Sequence, residues 1–227
     1  MLTIKWLGQS GYILSDGETE ICIDPYLSDC VNRIANRPRT RAVPVLPEEL
    51  TSDAVICTHD HLDHIDIDAI PRMNKKKMLF LAPSACKDKL ASLGVENYRP
   101  FDDGTEVKIG EFTLSATFAD HTVPAVGVVV EHGGEKLYFS GDTYYNEKLE
   151  GIECDYMFIC INGRLGNMNV DEASKLARKI SPKVAIPNHY DMFESNSEDP
   201  TKFEYKNRFI MEFNKEYTVN SGKLALK

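Results

Sequence analysis

Four side chains that could bind metal ions lie within the six residues from His59 to His64. They are His59, His61, Asp63 and His64, and they follow the apolar run Ala54–Cys57, which predicts a short buried strand. Side chains two residues apart point to one side of an extended chain, whereas the adjacent Asp63 and His64 require a sharp turn. Imidazole and carboxylate groups suit zinc, iron or manganese. The segment therefore predicts a site that could hold two metal ions. A solvated polar loop is a poor alternative for three histidines in six residues.

Strands and helices elsewhere in the chain must bring further polar residues to this segment. Strands are predicted within residues 2–24, 54–57, 78–82, 105–141, 155–161 and 183–187, and helices at Ile65–Met73, Ser84–Leu93, Asp171–Ile180 and Pro200–Glu216. The helix at Asp171–Ile180 is the clearest, because its apolar residues repeat at helical spacing. The strand–helix–strand order after residue 54 is typical of a βαβ unit.

Composition narrows the class of protein. The 227 residues are 42% hydrophobic, which favours one domain over residues 1–227. A net charge of -9 argues against a nucleic-acid partner, since such proteins need a broad basic surface. No apolar span approaches the roughly 18 residues needed to cross a membrane, and no leader pattern is present. The six cysteines show no Cys-x-x-Cys pairing and predict reduced thiols. We therefore expect a cytoplasmic protein with no membrane or nucleic-acid partner.

The pattern His-x-His-x-Asp-His after a strand resembles the signature of the metallo-β-lactamase fold. The resemblance implies an α+β protein, a four-layer αββα sandwich, which composition alone would not indicate. It also implies two metal sites, the first formed by His59, His61 and His121, the second by Asp63, His64 and His189, with Asp142 bridging them. The sixth histidine, His132 in Glu-His-Gly-Gly, is expected to be an exposed residue of a hairpin turn.

This ligand set implies hydrolytic chemistry. Two divalent ions, manganese or zinc with iron as a further candidate, would lower the pKa of a bridging water, and the resulting hydroxide would be the nucleophile. In this scheme Asp63 is also the catalytic residue that orients the hydroxide and moves its proton. The oxygen-reducing diiron branch of the fold typically has Glu at the position of His61, so this histidine favours hydrolysis over redox chemistry.

Several segments outside the ligands resemble the L-ascorbate-6-phosphate lactonase family. They are Trp6-Leu-Gly-Gln9, Asp24-Pro-Tyr-Leu-Ser-Asp29, Thr58-His-Asp-His61, Ile161-Asn-Gly-Arg-Leu-Gly-Asn-Met168 and Pro187-Asn-His-Tyr-Asp-Met-Phe193. The resemblance implies opening of a lactone ring in a phosphorylated sugar acid, a small anionic substrate. This chain is considerably shorter than the lactonases of sugar-acid operons, so substrate-binding positions do not transfer directly. Whether the chain forms a homo-oligomer stays open.

Five further residues are candidates for roles around the metals. Arg39 and Arg41 belong to an arginine-rich connection at residues 28–50 that could bind a substrate anion, or could equally be a solvated linker. Asn162 and Arg164 lie in a polar loop after a predicted strand, where functional residues concentrate. Asp24, at the end of the third strand, could accept the second N–H of a metal-bound histidine, or could be an ordinary turn residue.

Three other functions compete with a lactonase. A phosphodiesterase could use the same metals, because the same nucleophile can attack phosphorus. A non-catalytic, metal-binding regulatory protein is less consistent with a complete ligand set. Processing of transfer RNA is disfavoured by the acidic composition and by the lack of an obvious basic arm.

Overall fold

A computed structural model describes residues 1–227 and contains fourteen β-strands and three α-helices. The strands are β1 (Thr3–Gly8), β2 (Gly11–Ser15), β3 (Glu20–Ile23), β4 (Ala54–Ile56), β5 (Leu79–Ala82), β6 (Tyr98–Pro100), β7 (Glu106–Ile109), β8 (Phe112–Phe118), β9 (Val126–His132), β10 (Glu135–Phe139), β11 (Tyr156–Cys160), β12 (Val184–Asn188), β13 (Glu216–Asn220) and β14 (Lys223–Leu226). The helices are α1 (Cys30–Ala35), α2 (Lys87–Ser92) and α3 (Val170–Ile180).

The strands form two sheets. The first has the order β14-β13-β1-β2-β3-β4-β5-β6, and the second has the order β12-β11-β10-β9-β8-β7. The first sheet changes from antiparallel to parallel pairing at β3, and the second changes at β10. Parallel neighbours require crossover connections, which supply the long loops that follow these strands. The predicted βαβ order is present as β5, α2 and β6, with β5 and β6 parallel, whereas the crossover between the parallel strands β4 and β5 contains no α-helix.

The main hydrophobic core lies between the two sheets. The rings of Phe139 and Phe158 in the second sheet stack at 4.4 Å, and Tyr12 of the first sheet lies 5.0 Å from each of them. A second apolar cluster covers the outer face of the first sheet, so Val55 and Ile56 of β4 are both fully buried on opposite faces. Burial on both faces explains why β4 has no polar alternation in its sequence. The predicted α+β sandwich of two sheets is confirmed, although its helical layers are thin.

Helix α3 matches the prediction to within one residue. Its N-terminus is a capping box, in which the Asn169 side chain accepts from Glu172 N at 2.9 Å and the Glu172 carboxylate accepts from Asn169 N at 3.0 Å. The predicted apolar stripe is buried, with Ala173, Leu176 and Ala177 fully inaccessible.

The predicted terminal helix at Pro200–Glu216 is wrong. Only a single 3-10 turn forms, at Pro200–Lys202. Further along, Phe209 N donates to Ala185 O at 2.9 Å, and Arg208 forms a bridge beside Ala185 of β12. The aromatic-rich segment has modest helix propensity, and the free edge of the second sheet offers its backbone an alternative set of hydrogen bonds.

Two other helix predictions need correction. Residues Ile65–Met73 contain only a 3-10 turn, at Ile70–Arg72, because the Asp66 side chain accepts from the backbone N–H groups of Asp68 and Ala69 and so replaces helical bonding. At Ser84 the chain begins with a 3-10 turn before α2, and the Ser84 hydroxyl donates to Asp102 and does not cap the helix.

His132 was expected to be exposed, and this expectation is wrong. It ends β9 beside the predicted hairpin turn, but its ring packs 4.6 Å from Phe112 and its Nε2 lies 3.1 Å from Asp16 Oδ2. Its side chain is only 16% exposed, since it is covered by these two residues. The contact with Asp16 joins a turn of the first sheet to a hairpin of the second. All six cysteines are free thiols. No helix of the chain combines the length and apolar character that crossing a bilayer requires.

Candidate metal centre

The seven predicted ligands come together at one end of the sandwich, and both sheets contribute to them. His59, His61, Asp63 and His64 follow β4 of the first sheet, whereas His121, Asp142 and His189 follow β8, β10 and β12 of the second. Strands β10, β11 and β12 are parallel, so the residues after them emerge at the same edge. This is where α/β sheets usually bind ligands.

The ligand atoms fall into two groups, within each of which all atoms lie within 4.8 Å of one another. The first group consists of His59, His61, His121 and Asp142, and the second of Asp63, His64 and His189. In the first group, Nδ1 of His61 lies 2.9 Å from Nε2 of His59 and 3.2 Å from Nε2 of His121. In the second, Nε2 of His189 lies 3.5 Å from Asp63 Oδ2.

Asp142 lies between the two groups. Besides its place in the first group, its Oδ1 atom is 3.3 Å from Nε2 of His64 and 3.1 Å from Nε2 of His189. This is the position expected of a bridging carboxylate.

The buried polar atoms test whether these residues suit metal ions. His64 Nε2 and Asp142 Oδ1 are both buried without a hydrogen-bond partner. Such atoms destabilise a fold unless another group satisfies them. The donor set of imidazole nitrogens and carboxylate oxygens suits divalent transition metals, which would satisfy both atoms. The residues therefore fit a metal centre.

Asp24 contacts His64, which agrees with one of the two interpretations that its sequence position allows. Its Oδ2 atom lies 2.8 Å from Nδ1 of His64, and the same carboxylate accepts from the Thr58 backbone N–H at 2.8 Å and hydroxyl at 2.7 Å. Asp24 adopts a left-handed backbone with φ +44°, which directs its side chain toward the strand end. By accepting from Nδ1, it leaves Nε2 of His64 free to bind a metal.

The loop after β11 orients two ligands of the first group. The Gly166 carbonyl oxygen lies 3.0 Å from Nδ1 of His121, and Asn167 Nδ2 donates to Asp142 Oδ2 at 2.9 Å. A Cβ at Gly166 would lie only 2.5 Å from His121 Nδ1, and the residue has φ +96°, so glycine is required there. The Gly- and Asn-rich composition marked this loop, but the roles of Gly166 and Asn167 could not be read from it.

Burial and neighbouring charges shift the pKa values of the histidines in opposite directions in the two groups. Burial, with the nearby imidazole of His64, holds the pKa of His59 well below its ordinary value. Burial acts in the same direction on His64 and His189, but carboxylates outweigh it. Asp24 and Asp142 hold the pKa of His64 well above its ordinary value, and Asp142 and Asp63 raise the pKa of His189 to about 9.

The acidic ligands show the reverse effect. Burial alone would raise the pKa values of Asp63 and Asp142, but the imidazoles of His64 and His189 outweigh burial and lower both. Without a metal, the second group therefore holds its protons on histidine and keeps its carboxylates ionised.

The two arginines predicted to bind a substrate anion have protein partners. The guanidinium of Arg39 donates to the carbonyl oxygens of Tyr26, Ser28, Arg41 and Ala42. Arg41 pairs with Asp191, its Nη2 lying 2.5 Å from Asp191 Oδ2, two residues beyond His189. Both arginines thereby fasten the connection at residues 36–42 to the segment after β12. Their substrate role stays a prediction.

Asn162 and Arg164 present free polar groups instead. Asn162 is 3% exposed, and neither its amide nitrogen nor its oxygen has a hydrogen-bond partner. Arg164 is exposed, two residues further along the same loop, and forms no ion pair.

Comparison with known proteins agrees with this geometry. Residues 19–190 match the family described as Beta-lactamase superfamily domain, which covers more than half of the chain and includes all seven ligand positions. The chain belongs to this family. A UPF0173 metal-dependent hydrolase from Thermoplasma acidophilum is 29% identical over 215 residues, with 89% of each chain covered.

Solved structures show the same fold. Igni18, a metallo hydrolase from Ignicoccus hospitalis, superposes with a TM-score of 0.77 at 20% identity, covering 95% of this chain and 97% of that one. The isothiocyanate hydrolase from Delia radicum gut bacteria superposes with a TM-score of 0.79 at 19% identity, covering 97% and 100%. The chain therefore has the metallo-β-lactamase fold.

Proposed function

We propose that this protein is a hydrolase that uses two divalent ions, manganese or zinc, to open a lactone or ester of a small anionic substrate. The observation that supports it most directly is the position of Asp142, whose carboxylate contacts ligands of both groups. Relatives 29% identical to this chain bear the name metal-dependent hydrolase, in agreement with the proposal. The substrate class follows from the resemblance to L-ascorbate-6-phosphate lactonases.

Bound metal ions would supply the chemistry, and neighbouring residues orient the ligands that would hold them. Bound divalent ions would lower the pKa of a shared water and polarise the substrate carbonyl. Gly166 and Asn167 contact His121 and Asp142 of the first group and so orient them. Asp24 orients His64 of the second group in the same way. Ligands held in this way need little reorganisation when charge develops on the substrate oxygen.

Asp63 is best placed to move protons. Its side chain is 17% exposed, compared with 5% for Asp142 and none for Asp24, so among these carboxylates it is the most accessible from the cavity. An ionised carboxylate at this position could accept a proton from the attacking water. In a lactone opening, Asp63 would then return that proton to the departing ring oxygen.

Asn162 and Arg164 are the residues we assign to the substrate anion. Asn162 has an unpartnered buried amide, and Arg164 has an unpaired guanidinium on the loop that contacts His121 and Asp142. A guanidinium can donate two hydrogen bonds to one phosphate or carboxylate group. Arg41 could take part only by giving up Asp191, and Arg39 only by giving up its carbonyl partners.

The test is ring opening of L-ascorbate 6-phosphate by metal-stripped protein that is reloaded with manganese or zinc. We expect turnover that depends on metal and is lost in Asp63→Ala, with Asp60→Ala as the matched control, since Asp60 contacts Lys89 and none of the ligands. Bound metal without lactone opening would contradict the substrate assignment. Turnover of an aryl phosphodiester in that case would identify a phosphodiesterase, and failure to bind metal would contradict the hydrolase itself.

A further inference from the structure

Gln9 occupies an irregular turn between the first two strands. The pairing of β1 with β2 shifts register between Trp6 and Gly8, and Gln9 follows with a left-handed backbone at φ +50°. The residue is only 2% exposed. Residues with a Cβ seldom adopt this conformation, and irregular strand pairing beside a functional site commonly redirects a side chain.

The backbone of Gln9 is held from two directions. Its carbonyl oxygen accepts from Trp6 Nε1 at 2.9 Å and from the backbone N–H of His189 at 3.2 Å. The second bond ties the turn to a ligand that itself has a left-handed backbone, at φ +57°. Gln9 therefore keeps a fixed position relative to the second ligand group.

The side chain of Gln9 contacts this group alone. Its Nε2 atom lies 2.8 Å from Asp63 Oδ2 and 3.5 Å from Nε2 of His189. An ionised carboxylate can only accept hydrogen bonds, so the amide nitrogen must be the atom that faces Asp63. No hydrogen bond joins Gln9 to a ligand of the first group, although Asp142 contacts ligands of both groups.

We propose that Gln9 is a positioning residue for the second metal position. By donating to Oδ2 of Asp63 it holds this carboxylate in one orientation, so that Asp63 and His189 present their ligand atoms together. Its loss weakens metal binding by Asp63, His64 and His189 and leaves binding by the first group unchanged. The inference rests on the proposed function only in assuming that the second group binds a divalent ion.

The residue type suits this role. An amide donates a hydrogen bond without adding charge, whereas Lys or Arg would place a positive charge beside the incoming cation. Asn would be one methylene too short to span the observed contact. Met has nearly the length and volume of Gln but no N–H donor, which makes Gln9→Met the informative substitution.

The experiment measures Co²⁺ binding to metal-stripped protein by visible absorption, in two backgrounds that isolate each position. In His121→Ala the second group remains intact, and we expect Gln9→Met to weaken Co²⁺ binding by about 10- to 100-fold and to alter the Co²⁺ spectrum. In His189→Ala only the first group remains complete, and Gln9→Met should change neither affinity nor spectrum. Ser10→Ala is the matched control, because Ser10 is equally buried in the same turn and its hydroxyl has no partner.

Two results would overturn the proposal: unchanged affinity in the His121→Ala background, or equal weakening in both backgrounds. If Gln9→Met does not fold, Gln9→Asn replaces it, and the same selective loss is expected because the shorter amide cannot reach Asp63. Adding Asp63→Asn provides a further check, since Gln9→Met should then cause no additional loss. Wild-type protein that binds no metal would contradict the proposed function. Normal metal binding by the wild type that is unchanged in Gln9→Met would contradict this inference alone.

Discussion

Asp24 Oδ2 lies 2.8 Å from Nδ1 of His64, and both side chains are fully buried. No solvent competes for this contact, so the tautomer and orientation of His64 depend on a carboxylate that belongs to neither ligand group.

Replacing Asp24 with Asn should lower metal affinity by about 10- to 100-fold, because the amide cannot hold His64 as firmly with its Nε2 lone pair free. Calorimetric titration of zinc into metal-stripped protein would measure the loss. Asp53→Asn is the control, since Asp53 also accepts a backbone N–H, from Glu20, but at the opposite end of β4. Equal affinities for wild type and Asp24→Asn would show that His64 does not need this partner.

Gly166→Ala should weaken metal binding by displacing His121, whose Nδ1 would lie 2.5 Å from the new Cβ. Gly133→Ala is a matched control for backbone strain, because Gly133 also has a positive φ, of +58°, but open space around its Cβ position. Backbone strain should cost each variant roughly 1–2 kcal/mol of folding stability, and the contact with His121 should add to this cost in Gly166→Ala. Only Gly166→Ala should change metal affinity, and an effect of the same size in both variants would refute the contact argument.

The metal-stripped protein should lose stability as the pH rises from about 6.5 to 9. The folded state raises the pKa of His189 to about 9, above the roughly 6.5 of an unfolded histidine, so protonation favours the folded state at low pH. This contribution is complete below the unfolded pKa and disappears above the folded one, amounting to something on the order of 3 kcal/mol. Urea unfolding across this range would measure it. His189→Gln should show a flatter profile, and identical profiles would exclude His189 as the cause.

Arg164→Gln should raise the KM for L-ascorbate 6-phosphate by about 10-fold or more, since a charge-assisted hydrogen bond contributes roughly 1.5–3 kcal/mol. Hydrolysis of a neutral aryl ester should be unaffected. Arg178→Gln is the control, because this exposed arginine on α3 donates only to the Glu204 carbonyl oxygen. Equal loss with the anionic and the neutral substrate would assign Arg164 to the structure of the loop.

The ligand set was implied by the resemblance to the metallo-β-lactamase fold, and its convergence is consistent with the apolar runs that precede the ligands and form strands. For Asp24 the sequence left two interpretations, a partner of a metal-bound histidine and a turn residue, because both are compatible with a carboxylate at a strand end before proline. Gln9 and Gly166 could not be assigned, because Gln9 depends on a register shift and Gly166 acts through its carbonyl group. Neither a register shift nor a backbone carbonyl contact produces a recognisable pattern of residue types in the sequence.

The errors in the fold have a common physical origin. The compositions of residues 200–216 and 65–73 are compatible with a short helix. In the folded chain, however, their backbone groups form hydrogen bonds with other partners. The backbone N–H of Phe209 donates to Ala185 O on β12. The Asp66 side chain accepts from the N–H groups of Asp68 and Ala69, which a helix would use for its own hydrogen bonds. Local propensity is a weak guide where such partners are available from distant parts of the chain.

The order in which the ligands occur along the chain affects how the protein matures. The first group is incomplete until Asp142 has been synthesised and the second until His189, while β13 and β14 of the first sheet come later still. A nascent chain that ends before residue 142 has only part of either group, so neither group can be complete before most of both sheets has been synthesised. Because a bound ion would join residues from both sheets, a cell short of metal would accumulate chains that lack this link and keep only the packing and hydrogen bonds between the sheets. Such chains would be more exposed to proteolysis.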